Sequence, residues 1–145
     1  MSKLTIQTGT DNEVLREKAA PVSAVTKDIL KLLKDMKTTM AKENGLGLAA
    51  PQVGVHLRVV LVTVGKSVVP MVNPEIIEKS EKTDVCEEGC LSLPGKYFNV
   101  ERASGVTVKF LDTKGAEQIL HLKKMDARVV QHEIDHLNGV LIADY

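Results

Sequence analysis

The sequence has 145 residues, 43% apolar and 26% charged, with 19 basic and 19 acidic side chains. That length suits one domain, read here as residues 1–145, with enough interior to fold without disulfide staples. Balanced charge supplies no field for nucleic acid or an anionic membrane, and with no Trp and 3% aromatics a base-stacking platform is disfavoured.

The N-terminus, MSKLTIQTGTDNE, lacks the apolar core of a signal peptide. No run approaches the roughly 18 apolar residues of a membrane span. The chain reads as cytoplasmic, with monomer as the default state. Cys86 and Cys90, the two cysteines, are too few for a disulfide framework. In a reducing compartment such a pair points to metal or catalysis.

The first periodic segment is Val25, Ile29, Leu32, Leu33, Met36 and Met40, one apolar stripe on a helix of about five turns. Thr26 is placed to cap it, and Asn44-Gly45 to end it. Gly45-Leu-Gly-Leu-Ala-Ala-Pro-Gln52 follows, and its glycines predict an irregular segment open to close backbone approach by a ligand. Leu57–Val64 is a continuous apolar run, a buried strand. Val68–Ile77 is extended but interrupted by Pro70 and Pro74. The charged stretch from Glu75 to Asp84 reads as a solvated strand or loop. Val106, Val108 and Phe110 alternate, as do Leu120 and Leu122, with Asp112–Gly115 as a hairpin turn between them. Lys124–Asn138 reads as the last helix, closed by Gly139.

That helix is apolar on two faces. Met125, Val129, His132 and His136 form one, and Ala127, Val130, Ile134 and Leu137 the other. A helix with two apolar faces is buried, which predicts an α+β fold of small antiparallel sheets packed around it.

His132-Glu-Ile-Asp-His136 is an H-E-x-x-H motif. On a helix, positions i and i+4 point both imidazoles at one metal ion, and Glu133 can reach a reacting water. Its chemistry is to take a proton from that water and pass it to the leaving nitrogen. A third ligand is needed. Only nine residues follow His136, and position 142, where a metzincin-like spacing would place a histidine, is Ile. The outstanding candidate lies upstream, Cys90 in Glu87-Glu-Gly-Cys-Leu-Ser-Leu-Pro94.

Three motifs occur in order: Gly45-Leu-Gly-Leu-Ala-Ala-Pro-Gln52, Glu88-Gly-Cys-Leu-Ser92 and His132-Glu-Ile-Asp-His136. On these the chain resembles the peptide deformylases over nearly its whole length. Leu93–Tyr97 looks more like the organellar and class-B-like branch. The end at Tyr145 is similar to shortened, phage-like members, without the family's usual C-terminal extension; the resemblance still implies the ribosome exit region as a partner, with contact through that extension left open.

The resemblance implies a hydrolase that removes the formyl group from formyl-Met nascent polypeptides and releases formate. It implies Cys90, His132 and His136 as ligands of one divalent metal, Fe²⁺ in the cell, with Zn²⁺, Ni²⁺ or Co²⁺ able to substitute. It further implies Glu133 as proton carrier, with the Gln52 amide and the Leu91 backbone N–H as donors to the oxyanion. Gly45 and Gly47 are then expected to meet the substrate backbone. Leu46, Cys86, Met125 and Val129 are expected around its methionine side chain. Glu88 is expected to orient the Cys90 loop through a base such as Arg102, and Asp135 to be structural. His56 and His121, outside any motif, read as surface or strand histidines. Two alternatives stay open: a metallopeptidase sharing Glu133 and the histidines, and a closed structural zinc site made by Cys86, Cys90, His132 and His136.

Overall fold

The computed structural model describes residues 3–145. In chain order it forms a single helical turn α1 (Glu13–Arg16), the long helix α2 (Lys27–Lys42), the short strand β1 (Gly47–Ala49) and a 3₁₀ turn over Ala50–Val53. Then come β2 (Val59–Val64), β3 (Ser67–Lys79), β4 (Thr83–Cys90), β5 (Leu93–Ala103), β6 (Gly105–Leu111) and β7 (Glu117–Lys123). Helix α3 (Lys124–Leu137) and a 3₁₀ turn at Ile142–Asp144 close the described chain. Five strands make an antiparallel sheet in the order β1-β2-β3-β6-β7, and β4 and β5 make a separate two-stranded ribbon. The architecture is α+β, with both sheets against α3.

Strand β2 shows why its sequence is apolar without a break. Val60 and Val62 pack toward α3, beside Val130 and Ile134. Val59 and Leu61 pack on the opposite face, beside Ile29, Leu33 and Met36 of α2. A strand covered on both faces needs no alternation. Helix α2 is capped by Thr26, whose side chain accepts from the Ile29 N–H, and Asn44 takes a left-handed φ of 57° just past its end.

Three segments differ from the sequence expectation. The glycine-rich segment is not irregular: Gly47–Ala49 pairs with Val60–Val62 of β2 as the edge strand β1, and a 3₁₀ turn follows. The neighbouring apolar strand recruits it, which local glycine content does not reveal. Strand β3 runs straight through both prolines. Pro70 lies where β6 does not reach, since β3–β6 pairing begins at Val72, so its missing N–H leaves no ladder bond unmade on that side. Pro74 sits inside the bulge between Val72 and Glu75. The third difference is the ribbon, whose buried faces carry Glu88, Val100 and Arg102, so no apolar alternation marks it. The Glu75–Asp84 run is largely exposed, as its charge predicts.

Helix α3 ends where Gly139 adopts φ 73°. A Cβ there would lie 2.3 Å from the Arg16 carbonyl oxygen, so only glycine lets the N-terminal segment pass this closely.

Candidate metal centre and active-site cleft

Two elements bring the chemistry together. Helix α3 presents His132 and His136 one turn apart, and β4 ends at Cys90, just before the Leu91-Ser92 turn into β5. The Cys90 sulfur lies 3.3 Å from His136 Nε2, which lies 3.3 Å from His132 Nε2. All three donor atoms fall within 4.8 Å of one another.

Protons alone satisfy this cluster badly. One sulfur and two ring nitrogens converge on a shared point, His136 is buried, and His136 Nδ1 has no hydrogen-bond partner among the described residues. A soft thiolate with two imidazoles is a donor set that suits a divalent transition metal and leaves a coordination position open.

Cys86 is not part of the cluster. It is exposed on β4, opposite Val100 of β5. Four residues along a strand are about 13 Å, whereas four along a helix are one turn. The closed Cys₂His₂ alternative therefore fails on this geometry. Cys86 does not line the cleft either, which corrects its expected place around the methionine side chain.

Around the donors runs a network of charge. His132 Nδ1 donates to Glu88 Oε1 at 2.9 Å. Arg102 grips the Glu88 carboxylate with Nε at 2.6 Å and Nη2 at 2.9 Å, and Arg128 Nη1 adds a third bond at 2.6 Å. Arg102 Nη1 continues to Asp135 at 2.9 Å, and the Tyr145 hydroxyl donates to the same carboxylate oxygen at 2.6 Å. The expected Glu88–Arg102 pair is thus the centre of a larger arrangement. Burial alone would push the Glu88 carboxyl up, but the bonds from His132, Arg102 and Arg128 outweigh it and hold it at about 2.

The two histidines diverge in the metal-free chain. Burial opposes charge on both, and it drives His136 well below its ordinary value. At His132 the bonds to Cys90 and Glu88 win over burial and raise it. The acid and the sulfur that flank His132 are what favour its charged ring. A metal at this ring would compete with a proton, while Glu88 orients the ring through Nδ1.

Glu133 is buried, and its Oε1 has no hydrogen-bond partner among the described residues. Burial raises its carboxyl to about 7, the range in which a proton can be both taken and given at neutral pH. Its room is made by Gly47, where a Cβ would fall 2.5 Å from Glu133 Oε2.

These groups open onto a cleft of about 480 Å³. Gly45, Leu46, Gly47, Gln52, Leu91, Met125, Val129, His132 and Glu133 all line it. Leu46 and Met125, both more than half exposed, stand at its mouth. Gln52 is buried: its Oε1 accepts from the Ala49 N–H at 2.9 Å, and its Nε2 donates to Ser92 Oγ at 3.1 Å, beside the Cys90 sulfur. His56 is half-buried and bonded to the Val14 carbonyl, and His121 is exposed on β7 against Thr107, both away from the cleft.

Sequence reasoning missed Arg128, Tyr97 and Tyr145. Arg128 carried a usable signal: it stands one turn before His132 on a helix that the sequence already marks as buried, where an arginine needs partners. Tyr97 lines the cleft from β5 and Tyr145 closes the Asp135 network, and neither position stands out in the sequence.

Residues 4–145 match the family model described as Polypeptide deformylase. A peptide deformylase of Halothermothrix orenii is 50% identical over 133 residues, covering 90% of this chain and 86% of that one. The crystal structure of the Thermotoga maritima peptide deformylase superposes with a TM-score of 0.96 at 42% identity, covering 99% of this chain and 97% of that one. A class I type b peptide deformylase from Acinetobacter baumannii, solved with bound Met-Ala-Ser, gives 0.93 at 39% identity, with 99% of both chains covered.

Proposed function

This chain belongs to the polypeptide deformylase family and is a hydrolase that removes the N-terminal formyl group from nascent peptides; from that premise we propose how its own residues divide the work. Cys90, His132 and His136 hold the single metal ion. The observation that carries this is their convergence within 4.8 Å at the edge of a cleft that also contains Glu133. Fe²⁺ is the resident ion in this reading, and Zn²⁺, Ni²⁺ or Co²⁺ can replace it, since a mixed thiolate–imidazole set accepts all four.

When bound, the divalent ion supplies Lewis-acid chemistry, polarising the formyl carbonyl and lowering the pKa of water toward neutrality. Glu133 takes the proton of the attacking water as the new bond to the formyl carbon forms. The Gln52 side-chain N–H and the Leu91 backbone N–H donate to the carbonyl oxygen as it gains charge, each worth about 3 kcal/mol. Glu133 then delivers the proton to the departing nitrogen. The C–N bond breaks, and formate and a free methionine amine leave.

The substrate binds along β1. This strand lies at the edge of its sheet, so Gly45, Leu46 and Gly47 offer the cleft backbone that an extended peptide can pair with. Met125 and Val129, on the histidine side of α3, receive the methionine side chain, with Leu46 at the mouth. The Met-Ala-Ser bound by the Acinetobacter baumannii enzyme is a peptide of the kind this reaction would release. Residues 1–145 act in this reading as one catalytic domain, a monomer in the cytoplasm, working on formyl-Met chains near the ribosomal exit region.

The test is formate release from a formyl-Met tripeptide by protein purified anaerobically with Fe²⁺. Glu133→Ala should keep its metal and lose about 10²–10⁴-fold in kcat. No release by fully metallated wild type would overturn the assignment.

A further inference from the structure

The ligands of the metal site stand on two elements that share little apolar packing. Helix α3 is seated on β2 and β1 through Ala127, Val130, Ile134 and Leu137. The β4–β5 ribbon buries Leu93 and Val100 elsewhere, with Leu15, Leu141 and Ile142. Among the described ribbon residues only Ala103 joins the α3 core. Something other than apolar contact must therefore set where Cys90 stands relative to His132 and His136.

Arg128 makes four bonds across this gap. From α3 its Nη1 donates to Glu88 Oε2 at 2.6 Å and to the Val100 carbonyl at 2.9 Å. Its Nη2 donates to the Asp84 carbonyl at 2.9 Å and to Asp84 Oδ1 at 2.5 Å. One guanidinium thus reaches both strands of the ribbon, at two positions of β4 and one of β5. Its side chain is only 6% exposed, so these bonds work in a low-dielectric setting where charge-assisted geometry is stiff. The fork is needed, because an ammonium is a point charge and cannot span carboxylate, carbonyl and second strand together.

We propose that Arg128 is a positioning residue for the metal site, a tie that holds the Cys90 end of the ribbon in register with the His132/His136 face of α3 before metal arrives. A ligand set held in place binds without the ordering loss of one that must be assembled, so the tie appears as metal affinity. Groups bonded directly to a metal ligand, as Glu88 is to His132, typically carry 10–100-fold of that affinity, and Arg128 acts through Glu88 and the ribbon backbone. This rests on Cys90, His132 and His136 being the ligands.

The test is a Co²⁺ titration of the metal-free full chain against a competing chelator, followed by the thiolate-to-cobalt absorption band. Arg128→Met leaves Glu88 paired with Arg102 and His132, so no buried carboxylate is stranded. It should weaken Co²⁺ binding 10–100-fold and shift or broaden the band. Arg128→Lys, which keeps charge without the fork, should weaken binding about tenfold, and it decides the matter if the methionine variant does not fold. Unchanged affinity and band in a folded Arg128→Lys, or a raised KM with unchanged Co²⁺ affinity, would overturn the inference. A wild type that binds Co²⁺ without the thiolate band would instead overturn the ligand assignment itself.

Discussion

Two layers rest against helix α3, and they are held by opposite means. On one side the five-stranded sheet meets it through aliphatic side chains, with Val60, Val62 and Val108 fully buried. On the other, the β4–β5 ribbon meets it through Glu88, Arg102, Arg128, Asp84 and Asp135. Apolar packing is non-directional and tolerates small slips, whereas a network of forked, charge-assisted bonds has one good geometry. Both sides stabilise the fold, and the second also sets the position of a metal ligand.

If that division holds, substitutions on either side should cost stability, but only those on the ribbon side should also cost metal binding. The largest effect is expected at Glu88. Glu88→Ala removes the carboxylate shared by two buried arginines and His132, and it should destabilise the metal-free chain by about 3–5 kcal/mol while abolishing tight metal binding. Urea unfolding and Co²⁺ titration read the two losses separately. Leu61→Ala, in the α2 side of the sheet, should lower stability by about 2–5 kcal/mol and leave Co²⁺ affinity within a few-fold. Equal loss of metal affinity in both variants would erase the distinction.

Gly47→Ala tests the cleft rather than either layer. The added methyl meets the Glu133 carboxylate, and a displaced proton carrier should cost about 100-fold in kcat with metal retained. The smallest effect is expected at the surface. Arg16 pairs with Asp144 at 2.6 Å, with both side chains about a third exposed. The hydrogen bond from Arg16 holds the Asp144 carboxyl below its ordinary value. A lowered acid stabilises the fold above about pH 4, and that contribution is lost as pH falls through the lowered value. Asp144→Asn, whose amide oxygen can still accept from the Leu141 N–H, removes the charge alone and should lower stability by at most about 1 kcal/mol at pH 7 and by less near pH 3, as denaturant midpoints at the two pH values would show.

The two sides also differ in how legible they are in sequence. Helix α2, the β6–β7 hairpin and helix α3 appear in the sequence because each buries an apolar face and so writes its period into the residue order, and β2 appears as an unbroken apolar run because both its faces are covered. The α3 ending at Gly139 and the Asp112–Gly115 turn are equally visible. The ribbon is not, because Glu88 and Arg102 occupy its buried positions and mimic a solvated segment. Strand β1 is hidden by Gly47, whose missing side chain makes room for Glu133, and by Gly45 just before it. The donors Cys90, His132 and His136 are marked by motif, yet their distance from Cys86 is not, since residues four apart converge only on a helix. Arg128 illustrates the remaining loss: its charge is plain in the sequence, and its partners on two strands are visible only once the chain has folded.

The most direct measurement of the three-donor site is Co²⁺ binding by wild type, Cys86→Ser and Cys90→Ser, followed by the thiolate-to-cobalt band. One equivalent should bind to wild type and to Cys86→Ser with the same band, and Cys90→Ser should lose the band. Loss of metal from Cys86→Ser together with Cys90→Ser would contradict the open site and restore the closed Cys₂His₂ arrangement.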